Sequence, residues 1–292
     1  MRAELIDTAN GPRTTLGESP RWEGRAWWWV DAWQGVVWRR HPDEAAVAVW
    51  APGERTSLVQ PATDGGVVVA RGGQLVLVDG GGSGRPWCDL GLGPGWLAND
   101  GAADARGRLW IGSVAPGGTR RGGALLRVDG DGTVHEVAGG FTMSNGMAWH
   151  PVASVLFHAD SSERVIWAHT VDLESGTVIQ SRVFVRLPEN DGLPDGLATD
   201  VDGGVWVAVH GAGEVRRYSP SGRLDIVVAV DAPQCTSLAL GGPDGYDMLI
   251  TTAREGYEAA RSLKEPAAGR LFHARSPHQA TPISTVTVDP VS

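Results

Sequence analysis

Short apolar runs, each introduced by a turn residue or two, recur along the chain. They read EGRAWWWV (23–30), DGGVVVA (64–70), DARGRLWIG (104–112), HPVASVLFH (150–158), DVDGGVWVA (200–208) and PDGYDMLIT (243–251), about 40 to 50 residues apart. A second run follows each: GVVWRRHP (35–42), GQLVLVDG (73–80), GALLRVDG (123–130), RVIWAHTVD (164–172), GEVRRYSP (213–220) and GRLFHARSP (269–277). Apolar or alternating runs of this length between Gly, Asp and Pro predict strands. A weaker third run, such as TVHEVAGG (133–140) or RLDIVVAV (223–230), usually completes the set. A strand of small residues precedes each pair, as in SLVQPAT (57–63), GAADA (101–105), GMAWH (146–150), GLATD (196–200) and SLALGG (237–242). Four strands per unit and six units predict an all-β fold, a six-bladed β-propeller with four antiparallel strands per blade around a central channel. The units fill nearly the whole chain, so residues 1–292 are expected to form one domain. No Trp-Asp dipeptide occurs, which disfavours a WD-repeat propeller. Ring closure removes exposed edges, and either AELIDT (3–8) or STVTVD (284–289) is expected to supply the closing strand.

Composition narrows the function. Among 292 residues, 41 are Gly and 13 are Trp, which fits many tight turns between short strands. Asp+Glu outnumber Lys+Arg by 34 to 25, for a net charge of −9. An acidic surface repels phosphate backbones, so nucleic acid is not the expected partner. No apolar run reaches the ~20 residues of a membrane helix, and the first twenty residues hold no signal-like apolar stretch. The expected setting is therefore cytoplasmic, with no membrane partner. Cys88 and Cys235 form neither a disulfide framework nor a metal pair and read as small core residues.

The repeat register picks out one position in each unit. Glu18, Asn99, Asn145 and Asp195 each stand twelve residues before the same place in the following strand, at Val30, Ile111, Phe157 and Val207. Ser57 and, after a two-residue insertion, Thr236 complete the ring. All six carry a side-chain oxygen, and two of the chain's four asparagines fall here. Inner strands of a propeller face the channel, so each unit is expected to aim an oxygen at one point. A hard divalent cation such as Ca²⁺ takes such carboxylate and amide oxygens. The competing reading is that Asn-Gly and Asp-Gly are turn signals that merely enter each strand.

With these residues in hand, the chain resembles the senescence-marker protein, gluconolactonase and luciferin-regenerating enzyme family, the regucalcin-like propellers. The resemblance rests on LGESPRW (16–22), NDGAADARGRLWIGS (99–113), SNGMAWHP (144–151), ADSSERVIWA (159–168), PDGLATDVDGGVWVA (194–208), CTSLALGG (235–242), ITTAREG (250–256) and AGRLF (268–272), in family order. It implies one divalent cation in the channel, Ca²⁺ first and Mg²⁺, Mn²⁺ or Zn²⁺ as alternatives, ligated by Glu18, Asn145 and Asp195. It implies that Asn99 faces a small-molecule substrate or completes the metal shell. The implied activity is hydrolysis of sugar lactones; a related branch hydrolyses organophosphate fluorides. A cation would polarise the lactone carbonyl. Asp195 is the first candidate for general base and Asp100 the second.

The pocket departs from the sugar-lactonase pattern. Those members carry Arg two residues before the Asn of the Asn-Asp pair, where this chain has Leu97, next to Trp96. A Leu cannot bond sugar hydroxyls, so a less polar or bulkier lactone or ester is expected, with Arg121 or its neighbour Arg120 at the rim. The alternatives are a member recruited to other chemistry on a bulky metabolite, or a non-catalytic metal-binding propeller. Asp31 and His158, at one shared repeat position, are candidates for supporting the site; His150 and His210 are weaker ones. Arg254 and Glu255 are candidates for overhanging the channel. Trp27, Trp28, Trp29 and Trp33 read as blade packing.

Overall fold

A computed structural model of the chain describes residues 1–6 and 11–289. They form six four-stranded antiparallel sheets arranged as a propeller. Blade one spans Gly17–Trp22, Trp27–Asp31, Val36–Arg40 and Val47–Trp50 from the axis outward. Blades two to five repeat that order, with inner strands Thr56–Pro61, Leu97–Ala103, Ser144–Trp149 and Leu193–Thr199. Blade six has inner strand Cys235–Gly241, then Asp247–Thr252 and Phe272–Arg275, and its outermost strand is Glu4–Leu5 from the N-terminal end. Segment 3–8 therefore closes the ring; residues 7 and 8 of it lie outside the described residues.

The second candidate, 284–289, does a different job. It runs as a strap across the end of the channel opposite the carboxylates. Val286 N–H donates to Pro61 O (2.8 Å), Thr287 N–H to Gly107 O (2.8 Å) and Asp289 N–H to Gly130 O (2.9 Å).

The core is six slabs, one between each pair of neighbouring blades. Leu58, Val68 and Leu75 of blade two pack with Leu109, Ile111 and Leu126 of blade three. Trp28 joins the slab between blades one and two, while Trp27 and Trp29 join that between blades one and six. Strand alternation sends adjacent tryptophans to opposite faces. A middle strand thus meets a neighbour on both faces, which is why these strands read as unbroken apolar runs. Trp33 departs from this packing. It is 44% exposed, because it follows the strand and sits at the channel rim.

The repeated D-x-x-G-x-x-W pattern explains itself in blades three and five. Asp104 accepts from the Trp110 indole (2.9 Å) and the backbone of Arg106 and Arg108. Asp200 accepts likewise from Trp206 (2.8 Å), Asp202 and Gly204. Each carboxylate ties a turn to the tryptophan beneath it. Cys88 and Cys235 are free thiols. Burial pushes them up to about 11 and about 12, so both stay protonated at neutral pH. The described residues contain one short α-helix, Ala259–Lys264, and no helix long and apolar enough to cross a membrane.

Candidate functional site

Each inner strand is interrupted where the repeat register places its oxygen-bearing residue. The pairing with the second strand slips just after Glu18, around Ser57, between Ala98 and Gly101, between Ser144 and Met147, between Pro194 and Leu197, and around Thr236. A bulge re-aims a side chain that regular alternation would send elsewhere. In blade one the bulge forces Ser19 to φ 51°, a left-handed backbone costly for a non-glycine residue. The Asn145-Gly146 and Asp195-Gly196 pairs lie inside strands and are not turns. A Cβ on Gly146 would stand 2.2 Å from Asp195 O, and one on Gly196 1.9 Å from Ser237 Oγ. Glycine is needed there because six inner strands crowd one axis.

The ring of six oxygens divides in two. Ser57 Oγ donates to Asn99 O (3.1 Å) and Thr236 Oγ1 to Gly17 O (2.5 Å), each in the next blade. These short side chains are spent on joining blades, so the expectation that all six oxygens are aimed at one point is corrected for Ser57 and Thr236. Asn99 spans two neighbours: Nδ2 donates to Ser144 O (3.0 Å) and Oδ1 accepts from Arg55 (3.3 Å). Asn145 Nδ2 donates to Ser161 Oγ (3.1 Å), and its amide lies close enough to Asp195 to favour that residue's carboxylate form.

The carboxylates are the unusual feature. Asp195 is buried and its Oδ1 has no hydrogen-bond partner among the described residues. Burial pushes its carboxyl well above the usual range, and the neighbouring Glu18 and Asp100 carboxylates push it further. Glu18 is pushed up to about 8 by burial and then by Asp100, with Ser19 N–H (3.2 Å) as a small counterweight. Asp100 is held differently. Its Oδ1 accepts from Arg21 (3.0 Å) and from its own neighbour Gly101 N–H (2.8 Å). Arg21 is itself fixed by Gln60 (3.0 Å) and Gly101 O (2.7 Å). Two acidic groups and an amide thus converge with an orphaned oxygen and, among the described residues, no cation bonded to either carboxylate. That donor set fits a hard divalent cation.

Around this group runs a second ring, two residues ahead in every blade: Leu16, Arg55, Leu97, Met143, Leu193 and Gln234. All six are half-buried, as residues at an open mouth should be. Four are apolar and two are polar. Arg55 also donates to Ala98 O (2.8 Å) and stacks on Trp33, 5.3 Å from the ring centre. Trp33 donates to Glu255 Oε1 (2.5 Å), so Glu255 does reach the rim. The sequence reading missed Arg55, although it stands in blade two where Leu97 stands in blade three. Trp96 and Arg121 line a separate 720 Å³ groove against the outer strands of blade three, and none of the four channel residues borders it.

The remaining candidates have structural partners. Asp31 accepts from the backbone of Thr15 (2.8 Å) and Leu16 (3.2 Å), and Asp160 does the same for Thr142 and Met143 (2.9 Å each). Asp160, which pairs with Ser144 as Asp31 pairs with Gly17, is thus the counterpart of Asp31, and the pairing with His158 is corrected. The turn between the first two strands is two residues longer in blade four (Trp149 to Leu156) than in blade one (Trp22 to Trp27), and this caused the slip. His158 instead belongs to a buried chain: Ser144 Oγ to His158 (2.7 Å), His158 to His169 (3.3 Å), His169 to Ser181 Oγ (2.7 Å). His150 accepts two turn N–H groups. His210 ends an inner-blade strand at the carboxylate end of the channel, paired with Leu193.

Two features sit at the opposite end. A 150 Å³ cavity beneath the strap is lined by Met147, Leu197, Leu238 and Ile283, with Arg21 and Gln60 at its edge. Asp200, Asp202 and His278 bring ligand atoms within 4.8 Å of one another. Asp200 is already neutralised by Arg217 (2.6 and 3.1 Å), and Asp202 is hydrogen-bonded to His278 (2.7 Å).

Residues 16–254 match the model of the SMP-30/gluconolactonase/LRE-like region. The chain belongs to this family. It is 31% identical over 268 residues to the 6-deoxy-6-sulfogluconolactonase of Pseudomonas putida, covering 90% of this chain and 91% of that one. It is 32% identical over 284 residues to the pentonolactonase XacC of Haloferax volcanii, covering 92% of each. A solved regucalcin from Agrobacterium tumefaciens superposes with a TM-score of 0.89 at 23% identity, over 98% of this chain and 97% of that one, which shows the shared fold.

Proposed function

We propose that the protein is a divalent-cation-dependent lactonase whose cation is held by Glu18, Asn145 and Asp195. The observation that carries this reading is the buried, unpartnered Oδ1 of Asp195 beside a second carboxylate that no protein cation bonds. Ca²⁺ suits an all-oxygen donor set, and Mg²⁺, Mn²⁺ or Zn²⁺ could occupy it. The family's lactonases, and the solved relative named as a calcium-binding protein, support the same assignment. When bound, the cation supplies Lewis acidity to the lactone carbonyl.

The chain's own residues do the rest. Asn99 lies beside Asn145 and orients the lactone. Water adds to the carbonyl carbon, the ring C–O bond breaks, and a hydroxycarboxylate leaves. Asp195 takes the proton from that water and returns it to the ring oxygen. Its ligand role lowers its basicity, so it acts on a water already polarised. Asp100 is the second candidate, and its Oδ1 already accepts two hydrogen bonds. Leu97 shares its half-buried ring with Leu16, Met143 and Leu193, a wall suited to a less polar substrate than an aldonolactone. Trp96 and Arg121 would touch only the distal part of a long substrate. The proposed setting is the cytoplasm.

A lactone assay with pH-stat detection tests this reading. Chelator-stripped protein should be inactive and Ca²⁺ should restore turnover. An alkyl-substituted γ-lactone should be hydrolysed faster than gluconolactone. The reverse ranking would refute the apolar wall, and full activity after stripping would refute cation dependence.

A further inference from the structure

The mouth ring is lopsided. Blades three, four and five contribute Leu97, Met143 and Leu193, whereas blades two and six contribute Arg55 and Gln234 on either side of Leu16. Both polar members have an unsatisfied buried atom. Arg55 Nε–H has no acceptor and Gln234 Oε1 has no donor among the described residues. A buried donor on a cationic group left unpaired is costly. Arg55 is also fixed in place. Its two terminal nitrogens bond Ala98 O and Asn99 Oδ1, and its face lies on Trp33. That leaves Nε–H, and one N–H on each terminal nitrogen, without an acceptor among the described residues, beside the strand that carries Leu97 and Asn99.

No carboxylate forms an ion pair with Arg55 among the described residues. Glu18 and Asp195 belong to the cation-binding group, Asp100 is paired with Arg21, and Glu255 accepts from Trp33. The positive charge is therefore built, oriented and left open. Guanidinium groups held this way recognise planar or tetrahedral anions.

We propose that Arg55 selects a substrate bearing a negative charge: a lactone with one acidic substituent, seated against Arg55, and an apolar body against Leu97, Met143 and Leu193. Gln234 accepts a hydroxyl or amide proton of the same molecule. The proposal rests on the lactonase reading for the reaction and on Arg55 for the selectivity.

Two measurements separate these parts. The first compares kcat/KM for 5-oxotetrahydrofuran-2-carboxylate and its methyl ester. The native protein should prefer the carboxylate by about tenfold or more, the span of one charge-assisted contact. Arg55→Gln should lose about 10- to 100-fold on the carboxylate, mainly through KM, and stay within about threefold on the ester. Arg55→Lys should recover part of the preference, since it keeps the charge but not the fork. Equal loss on both substrates, or no preference in the native protein, would overturn the proposal and show that Arg55 only braces the Leu97–Ala103 strand. The second measurement is calorimetric binding of the matching lactam, 5-oxopyrrolidine-2-carboxylate, against its methyl ester, which needs no turnover. Charge-selective binding lost in Arg55→Gln, with no lactone hydrolysed, keeps the selectivity and rejects the lactonase. Lactone turnover without charge selectivity does the opposite.

Discussion

Two acidic clusters lie at opposite ends of this propeller, and they differ in what surrounds them. Asp200 is wholly buried, yet Arg217, the Trp206 indole and two backbone N–H groups satisfy it. They hold its carboxyl below the usual range, against the push of burial. Asp195 is buried to a similar degree, beside Glu18 and Asp100, with one oxygen unpartnered. Burial of an acid therefore marks nothing by itself. Whether the fold supplies the counter-charge separates a structural carboxylate from one that awaits a cation.

The largest effect expected from this contrast is on turnover. Asp195→Asn or Glu18→Gln should lower kcat/KM by about a thousandfold or more, because each removes a ligand and a charge from the cation group. Asp200→Asn, in a protein still folded at the assay temperature, should leave kcat/KM within a few fold.

Stability should respond with the opposite sign. Asp200→Asn leaves Arg217 buried with its main partner gone, at a cost of about 3 kcal/mol. In chelator, Asp195→Asn should stabilise the protein by about 1 kcal/mol or more, since it removes like-charge repulsion. Denaturant titrations of both variants check this. A loss from Asp195→Asn in chelator would contradict the repulsion.

The pH dependence sharpens the contrast. Glu18 is raised from 4.5 to about 8 in the folded chain, so its contribution to stability is fully present below pH 4.5. It is lost as pH rises through about 8. The chelated protein should lose a few kcal/mol over that window, and Ca²⁺ should abolish the slope. The blade-four histidines run the other way. His169 is lowered from 6.5 to about 4 by burial. Stability held above pH 6.5 is therefore lost as pH falls to about 4, by about 3 kcal/mol. His169→Gln should flatten that acid limb in thermal melts taken from pH 7 to pH 4.

The smallest effect is on substrate choice. Leu97→Arg should raise gluconolactone turnover relative to an alkyl lactone by about three- to tenfold. No change in the ratio would mean that Leu97 does not line the pocket.

Much of this was legible before any coordinates, for physical reasons. Six inter-blade slabs demand doubly buried middle strands, and those appear in sequence as WWWV, GVVVA and LWIG. The spacing that singled out Glu18, Asn99, Asn145 and Asp195 found the bulged position of each inner strand because the blades repeat nearly one length. It failed for His158, because the turn after the inner strand is two residues longer in blade four than in blade one and breaks the count. Ser57 and Thr236 looked like ligands because sequence reports an oxygen but not its reach. Arg55 escaped because its neighbours Trp33 and the Ala98–Asn99 pair come from two segments distant from it in sequence. Its register with Leu97 was the one signal available.

The central assignment is tested most directly by calorimetric titration of Ca²⁺ into chelator-stripped protein, alongside Glu18→Gln, Asp195→Asn and Asp200→Asn. One saturable site in the native protein is expected, weakened sharply in the first two variants and retained in the third. Binding that survives both Glu18→Gln and Asp195→Asn, or that is lost only in Asp200→Asn, would place the cation at the wrong end of the channel and contradict the proposed site.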